Sequence, residues 1–281
     1  MTIASSVITT VDEESLTPKV DIEALKTQFD LNGKAAFVPG GYGALGEAIC
    51  WALAVRGARV FVAGPSETKA RGLAGQITVA GFQAEGCGLD ARSVAEIRQV
   101  TSAAISALGR IDILVNCVGI QREQPLLDVT EDAFDLVYET NLKSAMFLAQ
   151  AVARHQIENG IAGRHIHLLS VRSQLALPGR GYSAYCSTKG GLLMLVRQHA
   201  VELAPHNITV NGVAPTFIQS DRIRPHLDRA EFRDYILARN PLGRIGHPIE
   251  VAGPVIALAA AAGSYITGQI VFVDGGITAS Q

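Results

Sequence analysis

The sequence predicts an α/β fold in which one parallel sheet of seven strands is wound on both faces by helices. Three observations predict it. Short runs rich in Val, Ile and Ala, suited to strands buried on both faces, alternate with segments whose apolar residues recur at helical spacing. The first of these strands runs directly into a glycine-rich turn and a helix. The chain of 281 residues, 48% of them hydrophobic, is long enough for one large domain of this kind.

Composition narrows the function classes. A formal net charge of -2 gives no nucleic-acid surface and no acidic tail. Cys50, Cys87, Cys117 and Cys186 are far apart and form no C-x-x-C pair, so no metal site is expected. Their apolar surroundings fit reduced thiols and a cytoplasmic protein. The first thirty residues are polar, with Asp12, Glu13 and Glu14, and lack the apolar core of a signal peptide. Residues 1–30 are therefore expected as a flexible arm, with a short helix over 22–29, ahead of a domain at 31–281. The uncharged stretch 251–273 has the length of a membrane span, but Gly263-Ser264-Tyr265-Ile266-Thr267-Gly268-Gln269 divides it into a helix and a strand. It reads as core, and no membrane partner is expected.

Lys34-Ala35-Ala36-Phe37-Val38 is the first strand. It ends in Pro39-Gly40-Gly41-Tyr42-Gly43-Ala44-Leu45-Gly46, and an amphipathic helix carrying Ile49, Leu53 and Val55 follows. Glycines in such a unit let backbone N–H groups approach a pyrophosphate, and the helix start adds partial positive charge. The plainer alternative is a tight βα turn. Residues 59–63 form the second strand. In dinucleotide folds an acid at its tip selects NAD, whereas a base accommodates the phosphate of NADP. The tip here, Gly64-Pro65-Ser66, has neither, and with no Arg or Lys in the turn the sequence leans to NAD over NADP.

A helix over 67–80 precedes a short third strand closed by Cys87-Gly88-Leu89-Asp90, where Asp90 is a candidate to face an adenine. Residues 93–108 repeat at helical spacing, and 111–116 form a buried fourth strand ending in Cys117-Val118-Gly119. One long helix is expected over 132–154, with Asn141 among Leu142, Met146 and Phe147. Propensity disfavours Asn there, so it either bonds backbone locally or belongs to a polar site. The fifth strand covers 165–169, and the sixth, at 208–213, leads into Ala214-Pro215-Thr216-Phe217. Residues 221–239 are charged, helical in pattern and without a strand partner, which marks 216–240 as a substrate lid. Ile270-Val271-Phe272-Val273 is the last strand.

Chemistry concentrates in residues 170–189. Tyr185 and Lys189 lie four apart on one helix face, so phenol and ammonium are neighbours. A phenol titrates near ~10, and a fixed cation beside it favours the phenolate, making Tyr185 a candidate general base or acid. Ser170, at the end of the fifth strand, points a hydroxyl towards the same place. A Tyr-x-x-x-Lys pair occurs by chance in many helices, and its company gives it meaning.

Taken together, the turn at 39–46, Asn116-Cys117-Val118-Gly119, the set Asn141, Ser170, Tyr185 and Lys189, Pro215-Thr216 and Asp274-Gly275-Gly276 resemble the short-chain dehydrogenase/reductase family. The resemblance covers the chain after residue 30 and implies a single-domain Rossmann fold. It implies that Tyr185 exchanges the proton on the substrate oxygen while Lys189 lowers its pKa and holds the nicotinamide ribose. Ser170 would hydrogen-bond the substrate oxygen, and Asn141 would hold a relay water. Cofactor contacts carried over from the family fall on Gly40, Tyr42, Ala44, Leu45 and Gly46; on Gly64 and Asp90; on Asn116, Val118 and Gly119; and on Tyr185, Lys189, Pro215, Ile218 and Ser220.

The chain departs from the family at Pro39, at Ala44 in place of a glycine, and at Thr216 in place of the turn glycine. The stretch from Ser170 to Tyr185 is also longer than is common, with Ser173 the alternative hydroxyl.

Gly119-Ile120-Gln121-Arg122, Phe29-Asp30-Leu31-Asn32-Gly33-Lys34 and Asp274-Gly275-Gly276-Ile277-Thr278-Ala279 look like the gluconate 5-dehydrogenases and related sugar-acid dehydrogenases. An oxidoreductase acting on a hydroxy or keto group of a sugar acid or polyol is the first expectation. A 3-oxoacyl carrier-protein reductase is the second, and a non-catalytic dinucleotide sensor, which would show a broken tetrad, the third. An anionic small-molecule substrate is expected, with Arg122 and Arg172 as its binding residues and Arg222, Arg224, His226 and Arg229 on the lid. The family habit is a homotetramer.

Overall fold

The computed structural model describes residues 21–221, 223–224 and 228–280. Residues 1–20 of the expected arm, and Arg222 and His226 of the lid, lie outside the described residues. The short N-terminal helix α1 (Ile22–Lys26) precedes β1 (Ala35–Pro39), whose five residues are all buried. Then follow α2 (Ala44–Val55), β2 (Arg59–Gly64), α3 (Glu67–Val79) and β3 (Ala84–Gly88). The second half continues with α4 (Val94–Leu108), β4 (Ile113–Asn116), α5 (Glu131–Tyr138), α6 (Ser144–Glu158) and β5 (Arg164–Leu168). It closes with α7 (Ser183–Leu203), β6 (Thr209–Pro215), α8 (Ala230–Arg239), α9 (Pro248–Ala259), β7 (Ile270–Val273) and α10 (Ile277–Ser280).

The sheet has seven strands in the order β3-β2-β1-β4-β5-β6-β7, and every pairing is parallel. Alternation along each strand feeds two faces. Ala36, Val38, Val60 and Val62 pack with Ile49 and Leu53 of α2 and Val251 and Val255 of α9. Phe37, Phe61 and Leu114 point the other way, against Ile97 of α4 and Leu148 and Val152 of α6. Strand order reverses between β1 and β4, so the loops that follow these two strands diverge and open a crevice at the sheet's C-terminal edge. Serine and threonine start several helices: the hydroxyls of Ser66, Ser93 and Thr130 accept the N–H groups of Lys69, Glu96 and Ala133.

Two elements depart from expectation. The third strand is Ala84–Gly88, earlier than the reading that ended it at Asp90, and Asp90 falls in the loop beyond it. The single helix expected over 132–154 is two helices joined by a π turn, Glu139–Lys143, with Asn141 at its centre. The stretch 251–273 divides into α9 and β7, and no described helix is long and apolar enough to cross a membrane.

Candidate active site

The glycine turn is built by close approach. Gly40 has φ +76, and a Cβ there would lie 2.7 Å from the carbonyl carbon of Cys117. A Cβ on Gly46 would run into the Gly40 carbonyl oxygen. Ala44 is tolerated because it is the first exposed residue of α2, with Gly43 as N-cap at φ -70 and ψ 163. The Tyr42 ring lies against Gly64, where a Cβ would meet it at 2.5 Å, and its phenol oxygen accepts the Ser66 N–H at 2.7 Å. These contacts shape a cleft of about 960 Å³ lined by Gly40, Tyr42, Gly64, Asp90, Val118, Gly119 and Arg122, among others. Asp90 is gripped by Arg92 at 2.7 and 3.0 Å, and this hydrogen bonding holds its carboxyl below the usual range.

Beneath the cleft, buried Asn116 accepts the Val118 N–H at 3.0 Å and meets His167 Nδ1 at 3.3 Å. The imidazole of His167 is fully buried, which pushes its pKa well down. Pro215, Ile218 and Ser220 stand apart from this cleft. Pro215 ends β6, Ile218 forms a bridge with Gly246, and the Ser220 hydroxyl accepts the Ile223 N–H at 3.4 Å. Ile218 lines a second hollow of about 410 Å³ together with Thr216, Asn240 and Asp274. Thr216 takes no positive φ in this turn, whereas Phe217, one residue later, sits at φ 46.

The tetrad residues occupy adjoining elements. Ser170 follows β5, is 8% exposed, and its Oγ accepts the Arg172 N–H at 3.1 Å. Ser173 donates its hydroxyl to the Ser170 carbonyl at 2.7 Å, so that hydroxyl is committed to the backbone. On α7 the Lys189 ammonium lies 5.8 Å from the Tyr185 ring centroid and donates to the Leu168 carbonyl at 2.7 Å. Burial lowers the Lys189 pKa from 10.5 to about 8, with Cys117 opposing the shift. Burial in turn pushes the Cys117 thiol up to about 12.

Asn141 is fully buried, and the π turn aims its amide at the loop after β4. It donates to the Ile120 carbonyl at 2.9 Å and accepts the Ile120 N–H at 2.8 Å. Its remaining N–H reaches Thr188 Oγ1 at 3.1 Å, and that hydroxyl donates to the Tyr185 carbonyl at 2.9 Å. Thr188, which sequence reasoning passed over, thus couples the π turn to the Tyr185 helix. Its only sequence signal is a hydroxyl immediately before the lysine of the pair.

The two arginines expected to bind substrate fare differently. Arg122 is exposed on the wall of the cleft. Arg172 is 8% exposed, and its Nη1 donates to the carbonyls of Leu175 and Ala176 at 3.1 and 2.7 Å. It ties down the long loop before α7, a buried guanidinium spending its donors on loop carbonyls. In the lid region, Arg224 and Arg229 are exposed and α8 follows them. Among the described residues no group of three or more His, Cys, Asp or Glu could hold a metal ion.

A family model described as enoyl-(acyl carrier protein) reductase matches residues 42–278. The gluconate 5-dehydrogenase of Gluconobacter oxydans is 32% identical over 90% of this chain and 97% of its own. The 3-oxoacyl-[acyl-carrier-protein] reductase of Escherichia coli is 35% identical over 88% of this chain and 98% of its own. Among solved structures, a gluconate 5-dehydrogenase from Burkholderia cenocepacia in complex with NADP and tartrate is 36% identical, with a TM-score of 0.86, covering 90% of this chain and 98% of that one.

Proposed function

The chain belongs to the short-chain dehydrogenase/reductase family, and from that premise we propose that this NAD(P)-dependent oxidoreductase interconverts a hydroxy and a keto group on a sugar acid. The observation that carries the reading is the buried Lys189 ammonium beside the Tyr185 ring, with Ser170 at the end of the adjoining strand. The cleft suits a dinucleotide: its floor admits no Cβ at Gly40, and α2 begins at its mouth. Gly40, Tyr42, Gly64, Val118 and Gly119 would hold the cofactor, and a bound nicotinamide supplies or accepts the hydride.

In this reading Tyr185 gives or takes the proton on the substrate oxygen, and the Lys189 charge favours the phenolate. Ser170 is the hydroxyl that steadies the oxygen as charge develops, supported by the commitment of Ser173 to the backbone. Asn141 holds the loop after β4 against the Tyr185 helix. The sugar-acid assignment draws on the relatives' names, and on tartrate, itself a hydroxy acid, in the Burkholderia protein.

The lean to NAD finds no support, since that neighbour holds NADP. Titrating both cofactors decides between them; a lower dissociation constant for NADP would mean that a base outside the turn, such as Lys69, reaches the phosphate. Exposed apolar side chains on α6 and α7, Met146, Met194 and Val201, support a homotetramer built on these helices. The test of function is turnover of gluconate, sorbitol and an acetoacetyl thioester with each cofactor, followed by absorbance of the reduced form. Gluconate oxidation is the expected result, and reduction of the thioester alone would favour the carrier-protein reading.

A further inference from the structure

Two loops meet beside Tyr185. The segment 178–182 leads into α7, and 120–124 follows β4. The Gln124 N–H donates to the Gly181 carbonyl at 3.0 Å, and a Cβ on Gly181 would collide with the Gln124 backbone. Across this contact Arg180 Nη2 donates to Glu123 Oε2 at 2.5 Å and to the Tyr182 phenol oxygen at 3.3 Å. The guanidinium carbon lies 5.5 Å from the Tyr182 ring centroid. Gln121 Nε2 donates to the same phenol oxygen at 2.5 Å. The Tyr182 ring then meets the Tyr185 ring edge-on, with centroids 5.9 Å apart.

This arrangement has the chemistry of an anion subsite next to the proton-transfer residue. The Tyr182 oxygen accepts from two donors, so its own O–H remains to be given to something else. Arg180 offers a planar fork, and one of its partners is a carboxylate. That partner is weakly held in energetic terms: the Arg180 and Glu123 side chains are 27% and 36% exposed, and ion pairs with such access to water contribute little. A substrate carboxylate can therefore take the place of Glu123 at small cost. Arg122 lines the cofactor cleft and Arg172 is committed to loop carbonyls, whereas Arg180 is joined through Tyr182 to Tyr185 itself. In a hydroxy acid the carboxylate lies a few bonds from the reacting carbon, a span comparable with the spacing of these rings.

We propose that Arg180 and Tyr182 form the specificity-determining pair that receives the carboxylate of the substrate, with Glu123 occupying the guanidinium until substrate arrives. The proposal rests on the sugar-acid reading above and deepens it. The reading that opposes it is a simple fastening of two loops.

The two are separated by variants that break the same ion pair from opposite sides. Binding of gluconate and of its uncharged counterpart sorbitol is measured by calorimetry on enzyme loaded with NADPH, which cannot oxidise either. The parent is expected to bind gluconate more tightly than sorbitol. Arg180→Gln should weaken gluconate by roughly 10- to 100-fold, the loss of a charge-assisted bond, and leave sorbitol nearly unchanged. Tyr182→Phe should weaken gluconate by a smaller factor. Glu123→Gln should do the reverse and tighten gluconate, because the competing carboxylate is gone. If Arg180→Gln and Glu123→Gln weaken both ligands alike, the pair only fastens the loops and the assignment is overturned while the sugar-acid reading stands. If the parent shows no preference for gluconate, the sugar-acid reading falls and takes this assignment with it.

Discussion

Lys189 is where burial and charge oppose each other most directly. Its ammonium is 3% exposed and has the Leu168 carbonyl as its hydrogen-bond acceptor at 2.7 Å. Burial draws its pKa from 10.5 to about 8, so below pH 8 both folded and unfolded chains hold the proton and the fold bears the cost of the buried charge. Between about pH 8 and 10.5 the unfolded chain binds more protons than the folded one, and stability therefore rises with pH across that window. The gain is on the order of 3 kcal/mol. Lys189→Met should lack it, so the stability of parent minus variant, from urea denaturation at each pH, should climb from pH 7.5 to 10; a flat difference would refute the buried-charge account. Tyr185→Phe tests the partner. It keeps the ring contact with Tyr182 and removes only the hydroxyl, so folding and cofactor affinity should hold while kcat falls ~10²-fold or more. Near-normal turnover would move the proton-transfer role to another residue.

Among the elements, the π turn at Glu139–Lys143 was the least legible. The apolar spacing of 132–154 runs on through it, and one extra residue per turn leaves no mark on a helical pattern. Only the placement of Asn141 among apolar neighbours signalled a polar site, and the structure shows why: both the N–H and the C=O of Ile120 depend on that amide. Asn141→Ala should cost about 1–3 kcal/mol for each group left without a partner, read from the denaturation midpoint; an unchanged midpoint would mean that water replaces the amide freely. The third strand was misplaced for a different reason. Ala84-Glu85-Gly86-Cys87-Gly88 has no β-branched residue and two glycines, and it is a strand because β2 lies beside it, not by propensity. The glycine turn, by contrast, was readable from sequence. Gly40→Ala should reduce both stability and cofactor affinity, whereas Gly43→Ala should spare the fold, since its nearest neighbour would be 3.5 Å from the new Cβ. Equal losses at both positions, measured by thermal unfolding and cofactor titration, would contradict the close-approach argument.

For the whole molecule, topology was legible because apolar runs and helical segments alternate without interruption, and parallel strands require such crossovers. Four candidate site residues, Asn141, Ser170, Tyr185 and Lys189, could be named from their motif. Their three-dimensional linkage could not, because the contacts that join them, such as Thr188 to Asn141 and Lys189 to the Leu168 carbonyl, run between segments distant in sequence and follow no spacing rule. The same sheet order carries a consequence for how the protein is made. On a ribosome β1 appears first; β2 and β3 extend the sheet on one side, and β4, β5, β6 and β7 extend it on the other, each beside a strand already present. No later strand has to pry apart a pair formed earlier, so the sheet can grow in the order of translation. In the proposed function, the part of the dinucleotide cradle made by Gly40, Tyr42, Gly64, Val118 and Gly119 is present once the loop after β4 has emerged, and Ser170, Tyr185 and Lys189 arrive only afterwards. On that reading a nascent chain can acquire part of a surface for its cofactor before it possesses any chemistry to use it.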